Sequence, residues 1–180
     1  MHQPTGPTLV IACVLGWPLV VIGQGGPKWE AMDYGPFLSA SIEVNPGNLA
    51  CKGIAVPIGE TTLGEFTVLF DMDLLRWAAG WRGDGVALRG IVYDGPHGIH
   101  PRIDGTPDWV TSTKPGVSVD GDFADIRPWR YGPLDSRRVQ WNGVQVHGNE
   151  VALAYQVGET SILETPGLIV ESDLPVYTRT

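Results

Sequence analysis

The 180 residues are 43% hydrophobic and 18% charged, enough for one domain with a proper core, too few for two large domains, and not the make-up of a disordered polymer. A formal net charge of −8, with no basic run longer than Arg137-Arg138, excludes nonspecific binding to nucleic acid or anionic lipid, since both need clustered Lys and Arg. The 24 Gly and 15 Pro break helices and punctuate strands, so the composition favours short strands joined by many turns.

The chain opens with an uncharged stretch from Thr8 to Gly23, TLVIACVLGWPLVVIG, followed by the small, polar GQGGP. The stretch is short for a membrane span, which needs about 20 apolar residues, and it suits the core of an export signal. Residues 1–24 are therefore expected to be a cleaved signal peptide, although the leading MHQPTGP lacks Lys and Arg. A hydrophobic first strand or an uncleaved anchor is the alternative. The implied setting is secreted or periplasmic, with no membrane contact beyond the signal, and residues 27–180 form a single folded domain. Loss of Cys13 with the signal would leave Cys51 alone, without an internal disulfide. Its apolar surroundings, NLACKGIAVPI, fit a small buried hydrophobe better than a nucleophile.

Leu38, Ala40, Ile42 and Val44 alternate with Ser39, Ser41 and Glu43, the period of a half-buried strand. Asn45-Pro46-Gly47-Asn48 is a turn, CKGIAVPI the next strand, and Pro57 marks an edge or strand end. Gly59-Glu60-Thr61-Thr62 turns into EFTVLFDMD, which pairs back as a hairpin. LLRWAAGW fits a short helix after an Asp cap or a continuing strand, and VALRGIVYDG reads as a strand. A long turn-rich stretch from Gly95 to Pro133 is either functional or conceals short strands. The end reads as four strands, Arg138–Trp141, Val144–His147, Val151–Val157 and Ser161–Thr165, with turns at Asn142-Gly143, Gly148-Asn149 and Gly158-Glu159. Together these predict a mainly β, antiparallel, β-sandwich-like single domain with short helical turns.

No catalytic signature is present: the sequence has no GxSxG, no Walker loop and no dinucleotide-binding glycines. Without Cys-x-x-Cys-His it holds no c-type heme, and no cofactor is expected in this chain. His97 and His100 in DGPHGIHP could meet one metal with Asp94 or His147, but their spacing matches no zinc class, and hydrogen bonding within a turn is the favoured role. Asp120, Asp122 and Asp125 faintly resemble a calcium loop while failing the EF-hand pattern, so calcium is a weak alternative. Asp71 and Asp73 would share one side of a regular strand, as an acid–base pair for glycan hydrolysis does; capping by one and solvation of the other is the competing role. Seven Trp is a high count, and Trp77, Trp81, Trp109, Trp129 and Trp141 divide between stacking on sugar faces and core packing, with core favoured for most.

Five separated blocks, WEAMDYGPFLSASIE, KGIAVPIG, VLFDMDLLRWAAGW, LRGIVYDGPHGIHP and VQWNGVQVHGNEVALAYQVGETSILETPG, occur in order between about Trp29 and Tyr177. They resemble the domain of unknown function found near the start of large secreted multi-domain bacterial proteins. That resemblance implies a secreted setting and neighbouring c-type cytochrome, dehydrogenase or sugar-related modules in the same polypeptide, and it carries no catalytic residues.

The functional expectation is a noncatalytic recognition or docking module, glycan-related, with Asp94–Pro133 as its recognition surface. His97, His100, Asp104, Asp108, Trp109, Asp122 and Trp129 would supply hydrogen bonds beside stacking planes. A glycan-active enzyme using Asp71 and Asp73, and a structural spacer, are the alternatives. The partners implied are a glycan and cytochrome or hydrolase modules.

Overall fold

The computed structural model describes residue 29, residues 32–172 and residues 174–180. The expected signal peptide lies outside the described residues. Twelve strands make up the fold, and no helix occurs among the described residues. They are β1 (Leu38–Asn45), β2 (Asn48–Thr61), β3 (Gly64–Asp71), β4 (Arg76–Arg82), β5 (Val86–Ala87), β6 (Arg102–Ile103), β7 (Thr106–Val110), β8 (Val139–His147), β9 (Glu150–Val157), β10 (Thr160–Glu164), β11 (Pro166–Glu171) and β12 (Leu174–Arg179). The mainly β, antiparallel, sandwich-like expectation describes this architecture.

The first seven strands form one sheet in the order β5-β6-β1-β2-β3-β4-β7. All its pairs are antiparallel except β1 with β6. Only Asp104 and Gly105 separate β6, near one end of the sheet, from β7 at the other. A link that short spans roughly 10 Å at most, so the sheet must roll until its two ends meet. The inside of the roll is filled by small residues around one large one. Ala50, Ala55, Ala78 and Ala79 pack with Ile42, Val44, Leu69 and a fully buried Trp81, whose indole Nε1 donates to the Gly85 carbonyl at 2.7 Å.

A second core lies outside the roll. Ile54, Val56, Val68, Phe70, Leu75 and Trp77 pack against Val139, Val151, Leu153 and Tyr155 of the three-stranded meander β8-β9-β10. The middle of β3 is thus covered on both faces, which is why it reads as the continuous run FTVLF with no alternation.

β4 serves both cores through one extra residue. Leu69 pairs with Ala79 and Phe70 with Trp77, leaving Ala78 as a bulge. Without it Trp77, Ala79 and Trp81 would share a face; with it Trp77 enters the outer core while Ala79 and Trp81 enter the inner one. The helical alternative for LLRWAAGW is therefore replaced by a turn and a bulged strand, because burial on both sides removes the period that separates strand from helix.

Two further strand expectations are corrected. Asn142-Gly143 is a bulge within a single strand β8, since Trp141 pairs with Tyr155 and Gly143 with Ala154, and Gly143 takes a φ of 125°. VALRGIVYDG keeps only Val86–Ala87 as strand. Gly90, at φ 95°, turns the chain, its carbonyl accepts the amides of Tyr93, Asp94 and Gly95, and Ile91 and Val92 are left exposed. Pro57 lies at a local edge inside β2, since β1 begins opposite Ala55 and Pro57 has a ladder partner only on the β3 side; the expected turn at Gly59-Glu60-Thr61-Thr62 is instead largely strand, as Gly59, Glu60 and Thr61 pair with β3.

The hairpin β11–β12 closes the structure. Leu168 approaches Gly59, and the Tyr177 ring meets Phe66 edge-on at 5.8 Å and Trp109 edge-on at 5.7 Å.

Candidate functional site

The turn between β3 and β4 contains the most buried charges of the molecule's described part. Asp71 and Arg76 are 1% and 2% exposed, and the Arg76 Nε donates to Asp71 Oδ2 at 3.1 Å. The rest of the guanidinium is also used: it donates to Asn48 Oδ1 at 2.7 Å and to the Ser112 carbonyl at 2.9 Å. Asp71 Oδ1 accepts the Asp73 amide at 3.1 Å, which caps the turn, and Asp73 itself pairs with Lys52 at 3.3 Å. Burial pushes the Asp71 carboxyl above the ordinary carboxylate range, opposed by the Arg76 charge. No buried side-chain nitrogen or oxygen lacks a partner among the described residues, so this network is closed.

The network ties down the segment that follows β7. Thr111 donates its amide to the Ala78 carbonyl, at the bulge, and its hydroxyl to the Trp77 carbonyl. Gly116 donates to the Leu74 carbonyl, and it lies so close over Leu75 and Arg76 that a side chain there would strike their backbone. Residues 111–116 are thereby strapped along the β3–β4 turn.

Between this strap and the β11–β12 hairpin lies a cleft of about 720 Å³, within the range of small-molecule sites. Trp77, Trp109, Tyr155 and Tyr177 supply its aromatic lining, with Val68, Leu75, Val117 and Val176, and with Thr111, Ser112, Lys114 and Arg179 as polar groups. The Trp109 ring rests over Gly80 and against Tyr177. Two carboxylates orient the aromatic residues. Glu164 Oε1 accepts both the Trp77 Nε1 at 2.9 Å and the Tyr155 hydroxyl at 2.8 Å, and Asp108 accepts the Tyr177 hydroxyl at 2.8 Å while pairing with Arg82.

Burial and these carboxylates raise both phenols well above the ordinary tyrosine value of about 10. A raised phenol contributes stability that is complete below pH 10 and is lost as pH rises through its folded-state value. Spectrophotometric alkaline titration is expected to show late-ionising tyrosine, with Tyr155→Phe and Tyr177→Phe each removing one late phenol. Equal titration of all the tyrosines would contradict these hydrogen bonds.

The residues selected from the sequence do not all meet at one place. Asp108 and Trp109 belong to the aromatic cleft or its support. Asp104, on the β6–β7 link, lines a different cleft with Trp29, Tyr34, Phe37 and Asp94. His97 and His100 lie in the turns between β5 and β6, the first exposed and the second half-buried. Trp129, 78% exposed, lies between β7 and β8 beside Arg130, which donates to the Gly47 carbonyl. Asp122 caps the Ala124 amide, Asp120 accepts from the Asp122 amide and from Arg138, and Asp125 binds Arg127. Among the described residues no three His, Cys, Asp or Glu side chains gather to hold a metal ion. Cys51 is half-buried in a small polar recess with Asp71, Asp73, Arg127 and Arg130, and burial followed by the two carboxylates raises its thiol, disfavouring the thiolate.

Sequence reasoning missed Tyr155, Tyr177 and Glu164. Tyr155 sits at every second position with Val151 and Leu153, an available sign that it faces the same core. Nothing in the sequence joins Tyr177 to Trp109. No curated protein and no solved structure matches the chain. One family model does, over residues 68–164, more than half of the chain, from within β3 to the last residue of β10. The chain therefore belongs to the family described as Domain of unknown function (DUF6797).

Proposed function

We propose that the domain is a noncatalytic recognition module that binds a saccharide in the aromatic cleft, within an exported polypeptide whose other modules, cytochrome or hydrolase, carry the chemistry. The observation that carries the reading is the cleft's lining: Trp and Tyr planes beside hydroxyl and cationic groups, a mixture suited to a pyranose, which has an apolar face and a polar rim. Glu164 and Asp108 hold Trp77, Tyr155 and Tyr177 in place before any ligand arrives, which lowers the ordering cost of binding. The enzymatic alternative has less support, because Asp71 is buried and committed to Arg76 while Asp73 is committed to Lys52.

Calorimetric titration with a panel of oligosaccharides is the test. Binding is expected, with Trp109→Ala weakening it by roughly tenfold or more through loss of a stacking plane. Tyr177→Phe keeps its ring and should change affinity far less. Product release from the panel would favour the enzymatic alternative, and absence of both binding and turnover would leave the domain a spacer.

A further inference from the structure

We infer that the saccharide taken by this cleft is anionic, carrying uronate or sulfate groups, and that Lys114 receives the charge with Arg179 beside it; the inference rests on the recognition reading above. The chain carries a net charge of −8, yet the side chains lining the cleft include Arg76, Lys114 and Arg179 and, among the described residues, no acid. These three cations are not equivalent. Arg76 is buried and fully engaged by Asp71, Asn48 and the strap carbonyls, so it builds the site. Lys114 is exposed and forms no ion pair among the described residues. Arg179 is 62% exposed and reaches Glu164 only at 3.7 Å.

The two carboxylates that support the cleft are engaged by other groups. Glu164 holds Trp77 and Tyr155, and Asp108 holds Tyr177 and Arg82. Lys114 is also well placed for a fixed receptor, since its strap is anchored on one side by Thr111 and Ser112 and on the other by Gly116. A charge-assisted hydrogen bond from such a group is stronger than a neutral one. The net charge of the protein repels a polyanion at long range, and salt screens that repulsion together with the local attraction. Salt dependence therefore discriminates poorly, and substitution is the sharper probe.

The experiment is calorimetric titration of the wild-type domain and of Lys114→Gln with three short probes of equal length: an oligogalacturonate, an unmodified galactose oligomer and its sulfated form. An anionic probe is expected to bind about tenfold tighter than the neutral one, the size of one charge-assisted hydrogen bond. Lys114→Gln should remove most of that preference, lowering the affinity for the anionic probes far more than that for the neutral one, with the thermal midpoint unchanged. Preference for uronate over sulfate, or the reverse, identifies the anion. Equal binding of neutral and anionic probes, or an anionic preference that survives Lys114→Gln, overturns the charge assignment and leaves the recognition reading standing. Failure of these probes and of every saccharide in the wider panel overturns both.

Discussion

Replacing Arg76 with methionine is expected to destabilise the domain by about 3–5 kcal/mol, the range for removing one partner of a buried ion pair. Asp71 would then stay buried with neither its counter-charge nor the Nε–H donor. Asn48 and the Thr111–Ser112 carbonyls would lose donors at the same time. Urea unfolding followed by tryptophan fluorescence measures the loss. The deficit should be larger near pH 8 than near pH 5, because burial already raises the Asp71 carboxyl and loss of Arg76 raises it further. A carboxyl whose folded-state pKa lies above its unfolded value favours the folded state at low pH and costs stability as pH rises through the folded value. Asp71→Asn combined with Arg76→Met should recover part of the loss, since position 71 then no longer buries a charge without its counter-charge. A change within about 0.5 kcal/mol for Arg76→Met, the size typical of a surface substitution, would show that the pair does not anchor the β3–β4 turn.

Gly80→Ala is expected to cost about 1–3 kcal/mol by overpacking, and to weaken saccharide binding by more than its effect on folding suggests. A methyl group at Gly80 would come within 2.6 Å of the Trp109 indole and 2.7 Å of the Tyr177 ring. Gly80 does not adopt a positive φ, so the substitution acts through those two rings and not through backbone strain. The rings must separate, and they are two of the cleft's aromatic planes. Near-UV circular dichroism should report the displaced aromatic residues while the far-UV spectrum stays β-type. Unchanged near-UV signal and unchanged stability would mean that Trp109 does not rest on Gly80.

The surroundings of Arg76 and Gly80 differ from the meander in how far the sequence reveals them. β1 and the meander strands are legible because one face is solvated and the other buried, which leaves alternation such as Val151, Leu153 and Tyr155. β3 is legible as a β-rich run that pairs back as a hairpin, but its burial on both faces is not, and β4 stays open between helix and strand because the rolled sheet covers it on both sides and the Ala78 bulge shifts the period midway. Asp71 and Asp73 drew attention as carboxylates, but the partner that determines the role of Asp71 is an arginine five residues on, inside a segment that also fits a helix. Trp109 was legible as a binding candidate by type and by its place in a turn-rich stretch. Its partner Tyr177 lies 68 residues later along the chain and meets it through the docking of a separate hairpin. Such an encounter depends on how sheets pack and leaves no local pattern. The same holds for Glu164, which bonds Trp77 across 87 residues.

Under the proposed function, ligand recognition occurs in the cleft between the 111–116 strap and the β11–β12 hairpin. Nitrogen–proton correlation spectra recorded during saccharide titration test it most directly. The predicted result is a saturable shift of the Trp77 and Trp109 indole signals and of the amides of Thr111–Lys114 and Val176–Arg179, with His97, His100 and Trp129 unmoved. Shifts confined to His97, His100 and Trp129, or no saturable shift with any saccharide, would contradict it.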